Sequence, residues 1–312
     1  MLTEYEETVI KEIAHHIVQP NLVQKALAQA GKPVAFILDQ ARSLKYFDMV
    51  SKKIDYAIEK GLRGSILLAN KTYTEASVLS EFTKAGLSIS YGEVKDSKLE
   101  IKDKVADSFS VSNGVILGAE GAAMGAATTL CEGIPGAQLL IPTLIAADVS
   151  SSMVFLSRQI CQIATSYGYA STDPQNIPHL IAAMAPQTDT SDEGYFAAKA
   201  AVLEMNRAAS MFSGQFTGRR LQEAMAKGEL PGLIRTIAYV AKRLGVVITQ
   251  KELGMLVPIA GALINGSVNV AFQQVGHATA KDYFRKMHLI NRHGEEQITE
   301  KISREIEKLK GS

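Results

Sequence analysis

Leu253-Gly-Met-Leu-Val-Pro258-Ile-Ala-Gly261-Ala-Leu-Ile-Asn265-Gly-Ser-Val-Asn269-Val-Ala-Phe-Gln273-Gln-Val-Gly-His277-Ala-Thr-Ala280 runs for 28 residues without an Asp, Glu, Lys or Arg. A helix that spans a bilayer takes about 20 apolar residues, so the length alone permits insertion. The content argues otherwise: Pro258, Gly261, Gly266, two Asn and two Gln make a poor lipid-facing helix. Asn265, Asn269, Gln273 and His277 recur every four residues and draw one polar stripe along an otherwise apolar helix. The reading is a helix over about 250–288 whose apolar surface is covered by neighbouring helices of the same molecule.

The same character begins earlier, at Val115. Between Gly121 and Ser157 the only charged residues are Glu132 and Asp148. Gly133-Ile-Pro-Gly136 punctuates this stretch into two helices, the second ending at Ser166-Tyr-Gly168. Gly114, Gly118, Gly121 and Gly125 lie four, three and four residues apart, on one face of a helix. Each interior glycine costs about 0.5–1 kcal/mol relative to alanine, so the stripe implies a compensating close approach of another backbone. Glu120 within it favours a crossing in a protein core over a lipid-facing zipper. No Gly-Lys-Ser/Thr follows, which excludes a phosphate loop.

Amphipathic helices are expected over 3–19, 35–60 (ended by Gly61) and 73–86. They are expected also over 175–185, opened by Asp173-Pro174, and over 192–213, 217–227 and 231–245. Leu87 to Val94 alternates as a strand would, so a small hairpin near 87–101 competes with an irregular charged connector, and the connector is preferred. The closing EEQITEKISREIEKLK carries Ile298, Ile302, Ile306 and Leu309 as a narrow apolar stripe. The expected fold is all-α: a single large multi-helix domain with Gly/Ala-rich, close-packed central helices. It is divided into an N-terminal segment 1–34, a body 35–290 and a charged C-terminal helix 291–312.

Composition narrows the function classes. A formal charge of +1 lacks the basic excess of a nucleic-acid binder. The two cysteines, Cys131 and Cys161, make no disulfide framework and suit a reducing cytoplasm. The acidic, amphipathic N-terminus does not read as a signal peptide. The six histidines form no HExxH or Cys/His cluster, so no metal and no cofactor is expected. No G-x-S-x-G elbow supports a serine hydrolase.

Two groups of residues invite function. Asp148 stands alone among apolar and hydroxyl residues, with Ser152 a turn on, and a buried carboxylate needs partners. Arg158 is about 80° around and roughly 15 Å along the same helix, too far for a simple pair. Partners from another helix fit better: Asn265, Asn269, Gln273 and His277. Together they read as a register-fixing network, as the lining of a small-molecule or headgroup pocket, or as an enzyme site built on Asp148. The second group is basic: Lys281, Arg285, Lys286 and Arg292 follow the uncharged helix. Anionic lipid attracts such charges at about 1 kcal/mol per residue near the surface. Cations completing a helix C-terminus are the alternative.

Three blocks carry a family resemblance. They are Gly114 through Gly125; Ala147-Asp148-Val149-Ser150 through Arg158 to Tyr167-Gly168-Tyr169; and Val257-Pro258-Ile259-Ala260-Gly261-Ala262 with Asn265, Asn269, Ala280, Tyr283, Phe284, Arg285 and Leu289. Over about 35–290 the chain resembles the bacterial EcsC family. It departs at Ser150, where the family tends to have Pro, and at Ala170, where it has Asp. The resemblance implies an all-helical protein tied by operon context to an ABC transporter, and it supplies no catalytic residues. The expectation is a non-enzymatic helical protein at the cytoplasmic membrane face, peripheral to the inner membrane. Its partner is a membrane lipid or a membrane protein, an ABC transporter among the candidates. The alternatives are a soluble small-molecule-binding module with a polar pocket around Asp148, Asn265 and Asn269, and an enzyme using Asp148.

Overall fold

The computed structural model describes residues 1–19, 73–110, 141–185, 196–203, 230–256 and 261–311, with residues 52, 56–58 and 61–62. Among the described residues every regular element is helical, as the apolar periodicity requires. Helix α1, Glu4–Val18, starts where Thr3 and Glu6 close a capping box. The Glu6 N–H donates to Thr3 Oγ1 at 3.2 Å and the Thr3 N–H to Glu6 Oε2 at 2.8 Å. Helix α2, Glu75–Lys84, is capped by Thr74 and closed by Gly86 at φ +89. There the Leu87 N–H returns to the Phe82 carbonyl, the usual way a left-handed glycine satisfies a helix end.

No strand follows. The alternating stretch gives way to a 3-10 turn, Tyr91–Asp96, whose Glu93 carboxylate takes both the N–H and the hydroxyl of Ser90. Residues 99–110, which carry no element in the sequence reading, form helix α3. Its apolar positions Leu99, Val105, Ala106 and Phe109 have helical spacing and are buried.

Helix α4, Ile141–Ser166, is central and enclosed on nearly all sides from Val149 onward. Its buried hydroxyls are satisfied by their own helix, with Ser157 donating to the Met153 carbonyl and Thr165 to that of Cys161, each at 2.7 Å. The helix ends at Gly168, φ +89, with the Tyr169 N–H on the Ala164 carbonyl. A 3-10 turn, Pro174–Asn176, leads into α5, Ile177–Ala182. Helix α6 covers 196–203.

Helix α7, Pro231–Leu256, runs past the expected end at 245, and α8, Gly261–His293, begins after it. The uncharged stretch therefore contributes to two helices. Helix α9, Glu295–Gly311, follows Gly294 at φ +92.

The central pair is α4 and α8, which run in the same direction: Leu156 meets Gly276, Gln159 meets His277 and Tyr167 stacks on Phe284. A Cβ at Gly276 would sit 2.3 Å from Leu156 Cδ1, so the Leu156 side chain fills the space this glycine leaves. Gly61, expected to end a helix, is itself helical, and a Cβ there would meet Met153 Cγ at 2.9 Å. Gly114, Gly118, Gly121 and Gly125 lie outside the described residues.

The terminal helices pair with each other. α9 packs on α1 and on α8, and Val9, Ile10 and Ile13 share one apolar core with Ile298, Ile302 and Ile306. Leu309, expected in the same stripe, is 38% exposed, so the stripe stops a turn earlier. No described helix is long and apolar enough to cross a membrane. In α8 the lower half carries Lys281, Asp282, Arg285 and Lys286.

Candidate functional site

Helix α3 lies antiparallel along α8, and polar side chains join them rung by rung. The Gln273 amide donates to the Ser110 carbonyl at 3.3 Å. His277 Nε2 meets Asp107 Oδ1 at 3.1 Å, and Lys281 Nζ donates to both Asp107 oxygens at 2.7 Å. Arg285 donates to Asp103, and Lys102 Nζ reaches His288 Nδ1 at 3.1 Å. Both helices present these groups at intervals near four, the repeat that keeps side chains on one face.

Asp103 is the centre of the ladder and is 2% exposed. Its Oδ2 accepts from Tyr5 Oη at 2.6 Å, Arg285 Nε at 2.8 Å and Arg285 Nη2 at 2.7 Å. Its Oδ1 accepts a short hydrogen bond from Tyr167. Arg285 also reaches Glu12 at 2.8 Å and Asp282 at 3.5 Å, and Asp282 Oδ2 contacts His16 Nδ1 at 2.6 Å. Four elements thus converge: α1 through Tyr5, Glu12 and His16; α3 through Asp103; the end of α4 through Tyr167; α8 through Asp282 and Arg285.

The protonation states follow from this packing. Burial alone would weaken the Arg285 charge, but the hydrogen bonds and charge of Asp103 outweigh it and raise its pKa. Tyr5 and Tyr167 are both raised, first by burial and then by the Asp103 carboxylate. Both phenols therefore stay protonated and donate. Burial pushes Asp107 up, yet hydrogen bonds from His277 and Lys281 prevail and lower it to about 2. Gln159 Nε2 donates to His277 Nδ1 at 3.2 Å, which leaves the His277 proton on Nε2, facing Asp107.

Lys102 is the exception to charge pairing. It is 1% exposed, donates to the Lys95 carbonyl at 2.7 Å and to His288, and no described carboxylate lies within ion-pair distance. Burial lowers it to about 8 and, with the Lys102 and Arg292 charges, lowers His288 to about 4. His288 is therefore a neutral acceptor at pH 7.

Chemically the cluster is a clamp. Both oxygens of Asp103 accept from protein donors, and the residue is buried, so its carboxylate is committed to holding Tyr5, Tyr167 and Arg285 in place. Cys161 is buried and raised to about 12 by that burial, so its thiol is inert at neutral pH. Among the described residues no group of three or more His, Cys, Asp or Glu has a metal-binding arrangement.

The residues singled out in the sequence fall into different places. Asp148 and Ser152 are buried on α4, at 1% exposure each, and Arg158 is partly buried further along. The parallel register carries Asp148 toward the level of 265–269 on α8; the side chains of Asn265 and Asn269 lie outside the described residues. Gln273 and His277 do turn inward, but the rungs seen for them lead to α3 and to Gln159. The basic set is not a surface strip. Arg285 and Lys286 are 4% exposed, Lys281 is bound to Asp107, and of the four only Arg292 is exposed. The reason is that acids from α1 and α3 face the same side of α8.

Sequence reading passed over Lys102, Asp103 and Asp107, together with Tyr5, Glu12, Gln159 and Asp282, and met Tyr167 only as part of the family resemblance. A signal existed: Asp103 and Asp107 are four apart, as are Lys281 and Arg285, on segments with helical apolar spacing.

The family model described as the EcsC protein family matches residues 7–289, which spans most of the chain and all the rungs of the ladder. Neither a curated protein nor a solved structure matches it.

Proposed function

Because the chain belongs to the EcsC protein family, we propose that it is a non-enzymatic helical protein of the cytoplasmic membrane face, binding lipid or a membrane protein such as a transporter. The observation that carries this reading is on α6. Phe196, Ala200 and Leu203 lie four and three residues apart on one helix face and are exposed, Phe196 by 47% and Leu203 by 57%. The opposite face, Ala198 and Ala201, is buried. Beside Lys199, which pairs with Glu295, the exposed face presents apolar side chains at the surface. Burying a Phe or a Leu contributes roughly 1.5–3 kcal/mol each. Two such residues support a weak, reversible association, in keeping with a chain whose described helices do not cross a bilayer.

Flotation with anionic phospholipid vesicles tests the reading, comparing the natural chain with a Phe196→Ser, Leu203→Ser double variant. The natural chain is expected to float and the variant to stay behind. A chain that pellets with native membranes but ignores protein-free vesicles selects the membrane-protein version. A natural chain that binds neither, or a double variant that binds as well as the natural chain, removes the proposal.

A further inference from the structure

One residue separates the last two helices. Gly294 has φ +92, and α-type hydrogen bonds stand on both sides of it: its own N–H to the Ile290 carbonyl at 2.8 Å, and the Ile298 N–H to its carbonyl at 3.3 Å. Moving this φ to the helical region would join α8 and α9 into one continuous helix. The N–H groups of Glu295, Glu296 and Gln297 would then donate to the carbonyls of Asn291, Arg292 and His293. A Cβ at Gly294 meets nothing within 4 Å, so at the hinge itself only the backbone conformation, and no side-chain packing, opposes straightening.

The straightened form has a fixed requirement. Ile298, Ile302 and Ile306 are at most 3% exposed, seated against α1 beside Val9, Ile10 and Ile13. Swung out with α8, they would lie in water, and the place they left on α1 would be bare. Apart from Leu309 the rest of α9 is charged or polar, so it has little other apolar surface of its own to cover them. A second copy opened in the same way offers the vacated seat. Each α9 then recovers the contacts of the bent form, and the arrangement closes with two-fold symmetry.

We propose that α9 is exchanged between copies of this chain: the α1–α8 surface it fills accepts the α9 of a second copy when Gly294 straightens. The surface and its occupant are complementary already, so dimerisation needs no new side-chain interface. A one-residue linker favours exchange, since a single backbone rotation converts the bend into a continuous helix and short hinges are where such exchange occurs. The inference is independent of membrane binding.

The test is the mass of the full chain in solution after unfolding and refolding at low and at high concentration, by light scattering. The natural chain is expected to yield a slowly exchanging dimer at high concentration only. Gly294→Ala penalises the left-handed bend and favours helix continuation, so it is expected to raise the dimer fraction by about tenfold per chain. Inserting Gly-Ser-Gly-Gly after Gly294 relaxes the bend and is expected to restore monomer. A Gly294→Ala chain that stays monomeric at every concentration overturns the proposal, and so does dimerisation that the insertion leaves unchanged. Should Gly294→Ala fail to fold, the natural chain against the insertion decides: equal dimer yields reject the exchange.

Discussion

Arg285 and Asp103 are 182 residues apart in the chain and meet through hydrogen bonds of 2.8 and 2.7 Å, with side chains 5% and 2% exposed. Neither charge is tolerable alone at that depth. The pair therefore makes the mutual position of α3 and α8 a condition of stability. Tyr5, Glu12 and Tyr167 extend the same condition to α1 and α4.

Removing one partner should be worse than removing both. Asp103→Ala is expected to destabilise by about 3 kcal/mol, because the buried guanidinium loses both its hydrogen bonds to Asp103 and keeps only Glu12 and the longer contact to Asp282. Asp103→Leu combined with Arg285→Met should cost less than the sum of the single changes. Urea denaturation of the three variants checks this, and additive losses would show that the two charges are not coupled.

Helix α1 should make stability sensitive to pH through His16. Its hydrogen bond to Asp282 raises its pKa against partial burial, with Arg285 opposing and Glu12 assisting. A raised folded pKa gives stability that is complete below the unfolded value of about 6.5 and disappears as pH rises through the folded value. Urea midpoints should fall over that window, and His16→Gln should flatten the fall. Asp107 works at the other end: lowered to about 2 from 3.8, its contribution is present above 3.8 and vanishes as pH drops toward 2.

Lys102→Met should stabilise the protein at pH 7, by on the order of 1 kcal/mol, since removing a buried ammonium outweighs the loss of its hydrogen bonds to the Lys95 carbonyl and to His288. With a folded pKa of about 8 against an ordinary value of 10.5, the unfolded chain binds more protons between these values. Stability of the natural chain should rise with pH across that interval, and the Met variant should lack the rise. An unchanged slope would exonerate Lys102.

Three glycines should rank by environment when changed to alanine. Gly168 has φ +89, and a Cβ there would approach Lys95 Cγ at 2.4 Å and the Lys95 backbone nitrogen at 3.3 Å. Gly86 has the same φ in open space, and Gly92 has open space without the positive φ. Thermal unfolding is expected to give the largest loss at Gly168, about 1 kcal/mol at Gly86 and little at Gly92.

Much of this was legible in the chain before any contact was known. Thr3 with Glu6 announces a helix start, Gly168 after Ser166-Tyr167 announces an end, and isoleucines at 298, 302 and 306 announce a buried stripe. These are local facts: a cap, a left-handed residue and a side-chain period act within a few positions. The stretch 87–96 shows the limit, because alternation over eight residues could not reveal that the Glu93 carboxylate would fold back on Ser90.

By itself, the order of residues determined an all-helical chain, the glycine that stops α4, and an apolar 253–280 stretch unfit for lipid. Whether Lys281 and Arg285 meet water or the acids of neighbouring helices was decided only when α1 and α3 came to rest against α8. Charge is a property of a residue, but burial is a property of what packs over it, and here that cover arrives from nearly two hundred positions away.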